Sequence, residues 1–394
     1  MFEKPLEGVK ILDFSQLTQG PLGTQNLADM GAEVIKIERP GVGELRRHTT
    51  TAGRDVGGEA TSFLAVNRNK RGLTLNLKAD EGREIGMELV READVLVHNF
   101  RPGVMERLGF GYEDVTDENE ELIYVHSSGF GTSGPYVEEN KPGQDLLIQS
   151  MTGMAAINGR KDDPPIPIGT SAIDYHGGTL MAYGITLALF HRERTGEGQR
   201  LDMNLFDSAI DMQIHELCTY LNTDIPLERS EEGISVWWNS APYGLYETAD
   251  GYLALSAVDP DDLERIGDIV GVEGLGAYST EEHFTKRDEI KRKIEEATRE
   301  QSTSALLDEL EAADIWCAPV RTYDELVEDP QVEHNDMIAT VDHPDAGELK
   351  MTGIPLELSE TPGAVESPPP RLGEHTDEIL ADLGYDGSDI DGSG

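Results

Sequence analysis

Short apolar runs of strand type recur through the first third of the chain, and segments of helical apolar spacing lie between them. VKILDF (9–14) leads through Gly20 and Pro21 into LGTQNLADMGA, and EVIKIERP (33–40) follows as a strand closed by Pro40. LTLNL (73–77), a helix over 80–93, DVLVHNF (94–100) and LIYVHSSGFG (122–131) repeat the pattern, the last ending in a glycine-rich turn. A strand that passes through a helix into another strand of the same sheet must pair in parallel, by a right-handed crossover. The expectation is an α/β fold with a parallel sheet, whose ligands sit at the carboxyl ends of the strands.

Beyond residue 205 the texture changes. A helical stretch over 206–221 precedes YGLYETADGYLALSA, which reads as a β-hairpin turning at Asp250 and Gly251. Charged amphipathic helices are expected over 261–270, 286–300 and 304–313, so the middle third resembles a smaller α+β domain. From Tyr323 onward the chain reads as loop-rich, and a frayed tail is expected from about residue 386.

Charge excludes several classes of partner. The 76 acidic residues against 32 basic ones give a net charge of −44 over 394 residues, which repels nucleic acid and acidic lipid surfaces alike. Apolar residues still make up 38% of the chain in regular periodicity, so a folded core is expected, carrying a hydrated acidic surface suited to a high-salt cytoplasm. Cys218 and Cys317 show neither metal-ligand spacing nor a disulfide framework. No leader and no membrane span is read from the sequence, and the cytoplasm is the expected location.

The cations are unevenly placed. Thirteen of the 32 lie between Lys36 and Arg107, densest in NRNKRG (67–72) and NFRPGVMERLG (99–109), both beside strand ends. Keeping cations there suggests an anion such as the phosphates of a nucleotide-bearing ligand, although surface pairing with Asp and Glu accounts for many of them. GPLGTQNLADMGA lacks the GxGxxG spacing of a dinucleotide fingerprint; its small-residue turn could admit a phosphate or pantetheine chain, or be a plain strand–helix turn. There is no G-x-S-x-G elbow and no metal-binding spacing, and His283, His334 and His343 read as structural.

Asp174 stands apart. It precedes Tyr175, His176, Gly177 and Gly178 at the start of a nearly uncharged helical run expected to reach about His191. The ordinary reading is a helix N-cap. The glycine pair adds a second reading, close approach of a bulky ligand to the backbone. His176 could orient Asp174, or simply pack or face solvent.

Taken in order, LEGVKILDFSQLTQGPLGTQNLADMGAEVIKIERPGVG, NRNKRGLTLNLKADEGRE, ADVLVHNFRPGVMERLGFGYE, LIYVHSSGFGTSGPY, the Asp174 segment with HRERTGEGQRLDM, WCAPVRTYDELVEDPQ and PPPRLGEHTDEILADLGY resemble the class III CoA-transferases. The resemblance spans about 6–385 and is weakest over 218–312. It implies a Rossmann-like large domain built from both termini (1–205 and 326–394), a small α+β domain over 206–325, and an interlocked homodimer. It also implies Asp174 as the catalytic nucleophile, with Thr18, Gln19, Arg39, Lys70, Arg71, Asn99, Phe100 and Arg107 lining the coenzyme A site.

No permanently bound cofactor is implied, coenzyme A being part of the substrate. The chemistry would run through an aspartyl anhydride and an aspartyl-CoA thioester. Racemases of the same superfamily carry a histidine base in a stretch resembling AGHD. Here PGQD (142–145) puts Gln144 in that place, and glutamine cannot shuttle a proton. Gln144, His176, Trp238 and Asn239 are the expected substrate contacts, with succinyl-CoA as donor and mesaconate or a related C4–C5 diacid as acceptor. The alternatives are a 2-methylacyl-CoA racemase and a non-catalytic CoA-binding regulator.

Overall fold

The computed structural model describes residues 3–256, 259 and 261–385, so the tail from 386 lies outside the described residues. The described chain forms two compact units. The first comprises Met1–Ile148, Ser171–Met212 and Asp329–Gly394; the second comprises Gln149–Thr170 and Gln213–Glu328.

The first unit is built on a six-stranded sheet of order β3-β2-β1-β4-β5-β6, with every neighbouring pair parallel. Its strands are β1 (Lys10–Asp13), β2 (Glu33–Glu38), β3 (Lys70–Thr74), β4 (Val95–His98), β5 (Ile123–Ser128) and β6 (Gln199–Asn204). Strands buried on both faces need apolar side chains at successive positions, which is why the runs read as near-continuous. The two faces sort by period two. Ile11, Val34, Val95, Val97, Ile123 and Val125 meet the helices Gln19–Asp29 and Ala172–Thr195. Leu12, Ile35, Ile37, Leu96 and Tyr124 meet the helices Asp80–Glu92 and Thr376–Asp382.

A sharp helix-to-helix approach explains the glycine pair. A Cβ on Gly177 would stand 2.3 Å from Gln19 Nε2, and one on Gly178 would stand 3.0 Å from the Gln19 carbonyl oxygen. Gly23 faces the same seam from the other helix, against Met181 and Gly178. The glycines therefore seat the helix of Asp174 against Gln19–Asp29, and the expectation that they make room for a ligand is corrected.

Four of the clustered cations turn inward. Lys70 donates to Asp13 (2.9 Å), to the Pro21 carbonyl (2.8 Å) and to Asn67 (2.9 Å) while 2% exposed. Lys36 Nζ donates to the Ser15 carbonyl and stands 3.9 Å from Asp13. Arg47 forks onto Glu38, and Arg68 onto Asp29. Burial by itself would raise the Asp13 carboxyl, but Lys36, Lys70 and the Ser15 hydroxyl outweigh it and hold it well below the usual carboxylate range. In so acidic a chain, these cations neutralise the fold's own buried carboxylates. They are not free for an external anion.

The second unit carries a three-stranded antiparallel sheet, β7 (Gly244–Glu247), β8 (Tyr252–Leu255) and β9 (Cys317–Pro319). Helices Asp262–Val270, Arg287–Thr298 and Thr303–Ala312 close its core around Tyr246, Ile266, Ile290 and Leu310. The 149–170 segment groups here because Arg229 donates to the carbonyls of Asn158 and Asp163. Residues expected to be loop-rich include a hairpin in the first unit, β10 (Ile338–His343) with β11 (Gly347–Thr352). Its strands bear charges and lack the apolar run that marks a buried strand.

Among the described residues, no helix is long and apolar enough to cross a membrane. Removing the shared counter-ion of two buried ammonium groups should be severe. Asp13→Ala is expected to destabilise the protein by about 3–5 kcal/mol, seen as a lowered midpoint in urea unfolding.

Candidate active site

Strand order reverses between β1 and β4, since the chain winds outward to β3 on one side and to β6 on the other. In open parallel sheets the crevice beyond such a point takes ligands. Asn99, just past β4, bridges the gap: its Oδ1 accepts from Gln16 N at 2.8 Å and its Nδ2 donates to the Gln16 carbonyl at 2.6 Å. Beside this joint lies a cavity of about 180 Å³ whose lining includes Phe14, Gln16, Arg39, Leu75, Lys78 and Phe100. Its walls are mostly apolar, with the buried Glu38 and Glu44 and two exposed cations, Arg39 and Lys78, also in the lining.

The other expected contacts divide. Thr18 and Gln19 are buried at the start of the helix after β1. Thr18 Oγ1 accepts from Arg46 at 2.7 Å, and Gln19 Oε1 accepts from Ser127 Oγ at 2.6 Å. Gln19 Nε2, facing Gly177, is buried without a partner among the described residues. Arg107 is exposed on the short helix Val104–Leu108 after β4. Two expectations are corrected. Lys70 spends its three N–H donors internally, and Arg71 pairs with Glu33, Glu378 and Asp382 toward the amino ends of β2 and β3, away from the ligand side.

Asp174 lies in the first turn of Ala172–Thr195, but another residue caps that helix. Asp145 Oδ2 accepts from Ile173 N (2.9 Å) and Asp174 N (3.1 Å). Gly143 steers the approach to Asp145, because its backbone crosses Gly129 at the end of β5 so closely that a Cβ would stand 2.3 Å from the Gly129 Cα. The helix therefore needs no cap from Asp174, which corrects the N-cap reading. The carboxyl of Asp174, half-buried, makes no hydrogen bond among the described residues. Burial first, and the Asp145 charge second, push it up to about 7, while the Arg46 guanidinium pulls against both.

His176 does not orient Asp174: its Nε2 stands 2.8 Å from Asp211 Oδ2. Gln144 is exposed at the turn before Asp145, and its backbone carbonyl accepts from Ile148 N. Trp238 and Asn239 belong to the second unit, where they line a cavity of about 410 Å³ with Tyr243 and His283. Trp238 packs on His215 with ring centroids 4.0 Å apart, whereas Trp237 is core. Sequence reading passed over Arg46 and Asp145, since nothing in LRRH or PGQD distinguishes a residue beside Asp174 from an ordinary charge.

Known proteins supply the class. A model described as CoA-transferase family III matches residues 6–376. A succinyl-CoA:mesaconate CoA-transferase of Haloarcula marismortui is 34% identical over 389 residues, covering 97% of each chain. The human succinyl-CoA:glutarate CoA-transferase is 33% identical over 389 residues, covering 97% of this chain and 87% of that one. The crystal structure of a CAIB/BAIF family protein from Brucella suis superposes with a TM-score of 0.85 at 31% identity, covering 97% of this chain and all of that one. The chain belongs to CoA-transferase family III. It is an enzyme of that class.

The raised carboxyl has a measurable consequence. A folded-state value above the ordinary one favours folding at low pH, and that contribution is lost as pH rises through about 7, when burial must accommodate a charge. Asp174→Asn, which cannot ionise, should therefore melt higher than wild type at pH 8. The gain should shrink by pH 5 in thermal denaturation read by circular dichroism.

Proposed function

We propose that the enzyme moves coenzyme A from succinyl-CoA to a small diacid of the mesaconate or glutarate type, with Asp174 as the covalent carrier. The observation that carries this reading is the Asp174 carboxyl itself, half-buried, unbonded and pushed up to about 7. A carboxylate stripped of hydrogen bonds and partly of water is a stronger nucleophile than one in bulk solvent. The names of the relatives support the acids: mesaconate, glutarate and, for a protein of Acetobacter aceti 34% identical to this chain, oxalate.

The steps balance without metal or ATP. An Asp174 Oδ attacks the thioester carbonyl of the donor, and the C–S bond breaks to give an acyl-aspartyl anhydride and CoA thiolate. The thiolate attacks the aspartyl carbonyl, leaving aspartyl-CoA thioester and the free donor carboxylate. An acceptor carboxylate attacks that thioester, expelling thiolate and forming the second anhydride. Thiolate then attacks the acceptor's acyl carbon, releasing the new acyl-CoA and Asp174. Gln19 Nε2, buried and unpaired beside Gly177, is a donor suited to the developing oxyanion.

The apolar cavity with Arg39 and Phe100 suits an adenine ring, with Arg39, Lys78 and Arg107 toward the phosphates. Thr18 and Gln19 lie along the run toward Asp174, and Asn99 and Lys70 support these loops from behind. Gln144 and His176 are assigned to the acyl end. We further propose a homodimer. Tyr183 and Phe190, each 61% exposed on the helix of Asp174, leave an apolar face that a second copy would cover.

Asp174→Ala should abolish CoA transfer from succinyl-CoA to every acid tested while CoA itself still binds by calorimetry. Wild type mixed with succinyl-CoA should lose activity to hydroxylamine, with the adduct mapped to residue 174. Activity surviving in the variant would remove Asp174 from its role. Sedimentation at assay concentration should give twice the chain mass.

A further inference from the structure

We propose that Arg46 is the residue that reads the second carboxylate of the substrate acid, so that the site prefers diacids over monoacids of equal length. This rests on the transfer reading above and adds to it the group that sets its substrate class.

Arg46 sits in the short helical turn Leu45–His48, whose neighbours on both sides are anchored. Glu44 N donates to Glu38 Oε1 at 2.9 Å, and Glu44 Oε2 accepts from Leu17 N at 2.8 Å. Arg47 forks onto Glu38 and also reaches Glu59 at 2.9 Å. Between these fixed points the Arg46 guanidinium is pinned at one end only, by Nη2 to Thr18 Oγ1. Its Nε is sealed from solvent and has no acceptor.

A buried guanidinium N–H without an acceptor is unfavourable, and a chain with 76 acidic residues has carboxylates to spare. Arg47, one residue on, has two such partners within 2.9 Å. Arg46 has no carboxylate at ion-pair distance among the described residues. An arginine kept unpaired in these surroundings is held ready for an anion that arrives from outside.

Its place identifies the anion. Thr18 precedes Gln19, whose amide stands against Gly177, one turn along the helix from Asp174. Arg46 is also the cation that offsets the raised Asp174 carboxyl. Yet it forms no ion pair with Asp174 among the described residues, so Nη1 and the second hydrogen of Nη2 remain for a ligand carboxylate lying between Thr18 and the nucleophile. A planar guanidinium takes a carboxylate two bonds at a time, and that geometry rejects an alkyl terminus. The cation would also offset the charge of holding a dianionic acid beside a carboxylate nucleophile.

Arg46→Gln and Arg46→Lys test this with matched acids, glutarate against valerate by turnover and by titration calorimetry in the presence of CoA, and succinate against butyrate by calorimetry alone. Arg46→Gln should raise the dissociation constant for the diacids by about 10–100-fold and leave that for the monoacids unchanged, and it should raise KM more for glutarate than for valerate. Arg46→Lys should recover part of the loss. An equal loss for both kinds of acid, or no loss for either, overturns the proposal. A wild type that binds glutarate through Arg46 but transfers no CoA overturns the transfer reading alone. One that transfers CoA to diacid and monoacid equally well overturns the role of Arg46 alone. A wild type that neither binds nor transfers overturns both.

Discussion

Two hydrogen bonds from the first turn of one helix to the Asp145 carboxylate decide what the rest of the site can be. A helix beginning at Ala172 exposes N–H groups that some acceptor must satisfy, and a carboxylate three residues into the helix is a ready candidate. Because Asp145 takes the bonds from Ile173 and Asp174, the Asp174 side chain is released from that duty. The same arrangement sets a second negative charge beside Asp174 and makes its ionisation harder. A capping residue thus tunes the neighbouring carboxyl through its charge, while holding the backbone that carries it. Asp145 is in turn positioned by a backbone crossing of Gly143 on Gly129 that tolerates no side chain on either residue.

The frame behind the site is held by buried charge as well as by apolar packing. Asp13 at the end of β1 binds Lys70 directly and Lys36 at longer range, and Glu38 is clamped by Arg47. Each of these pairs ties one strand end or loop to another, and a buried charge stripped of its partner is strongly unfavourable. The loops at the carboxyl ends of β1 and β4, where ligands of parallel sheets collect, are stiffened by Asn99. Rigidity of this kind suits the covalent transfer proposed above, in which geometry supplies much of the rate. It also explains why a chain with far more acidic than basic residues keeps so many cations in one stretch. Four of the thirteen, Lys36, Arg47, Arg68 and Lys70, are internal wiring, and exposed ones such as Arg39, Lys78 and Arg107 are what an incoming phosphate could meet.

Much of this was legible in one dimension. The alternation of VKILDF, EVIKIE, LTLNL, DVLVHNF and LIYVHSS with helical segments determined a parallel α/β sheet, because chain geometry allows little else, and the ordered motifs from Leu6 onward determined the family. Asp174 could be singled out for its position alone. What the sequence could not decide was direction and partnership. Lys70 and Arg71 are adjacent cations that looked alike, yet one turns into the protein toward Asp13 and the other pairs at the amino ends of the strands. Gly177 and Gly178 looked like space for a ligand and proved to be space for another helix. Arg46 and Arg47 are neighbours of one type, and only the folded chain gives two carboxylates to the second and, among the described residues, none to the first. Periodicity survives in a sequence because it repeats locally, whereas the partner of a side chain depends on residues brought close from far along the chain. That is why the fold class was written in the sequence, and why the tertiary structure alone decided which charges serve the scaffold and which remain free for chemistry.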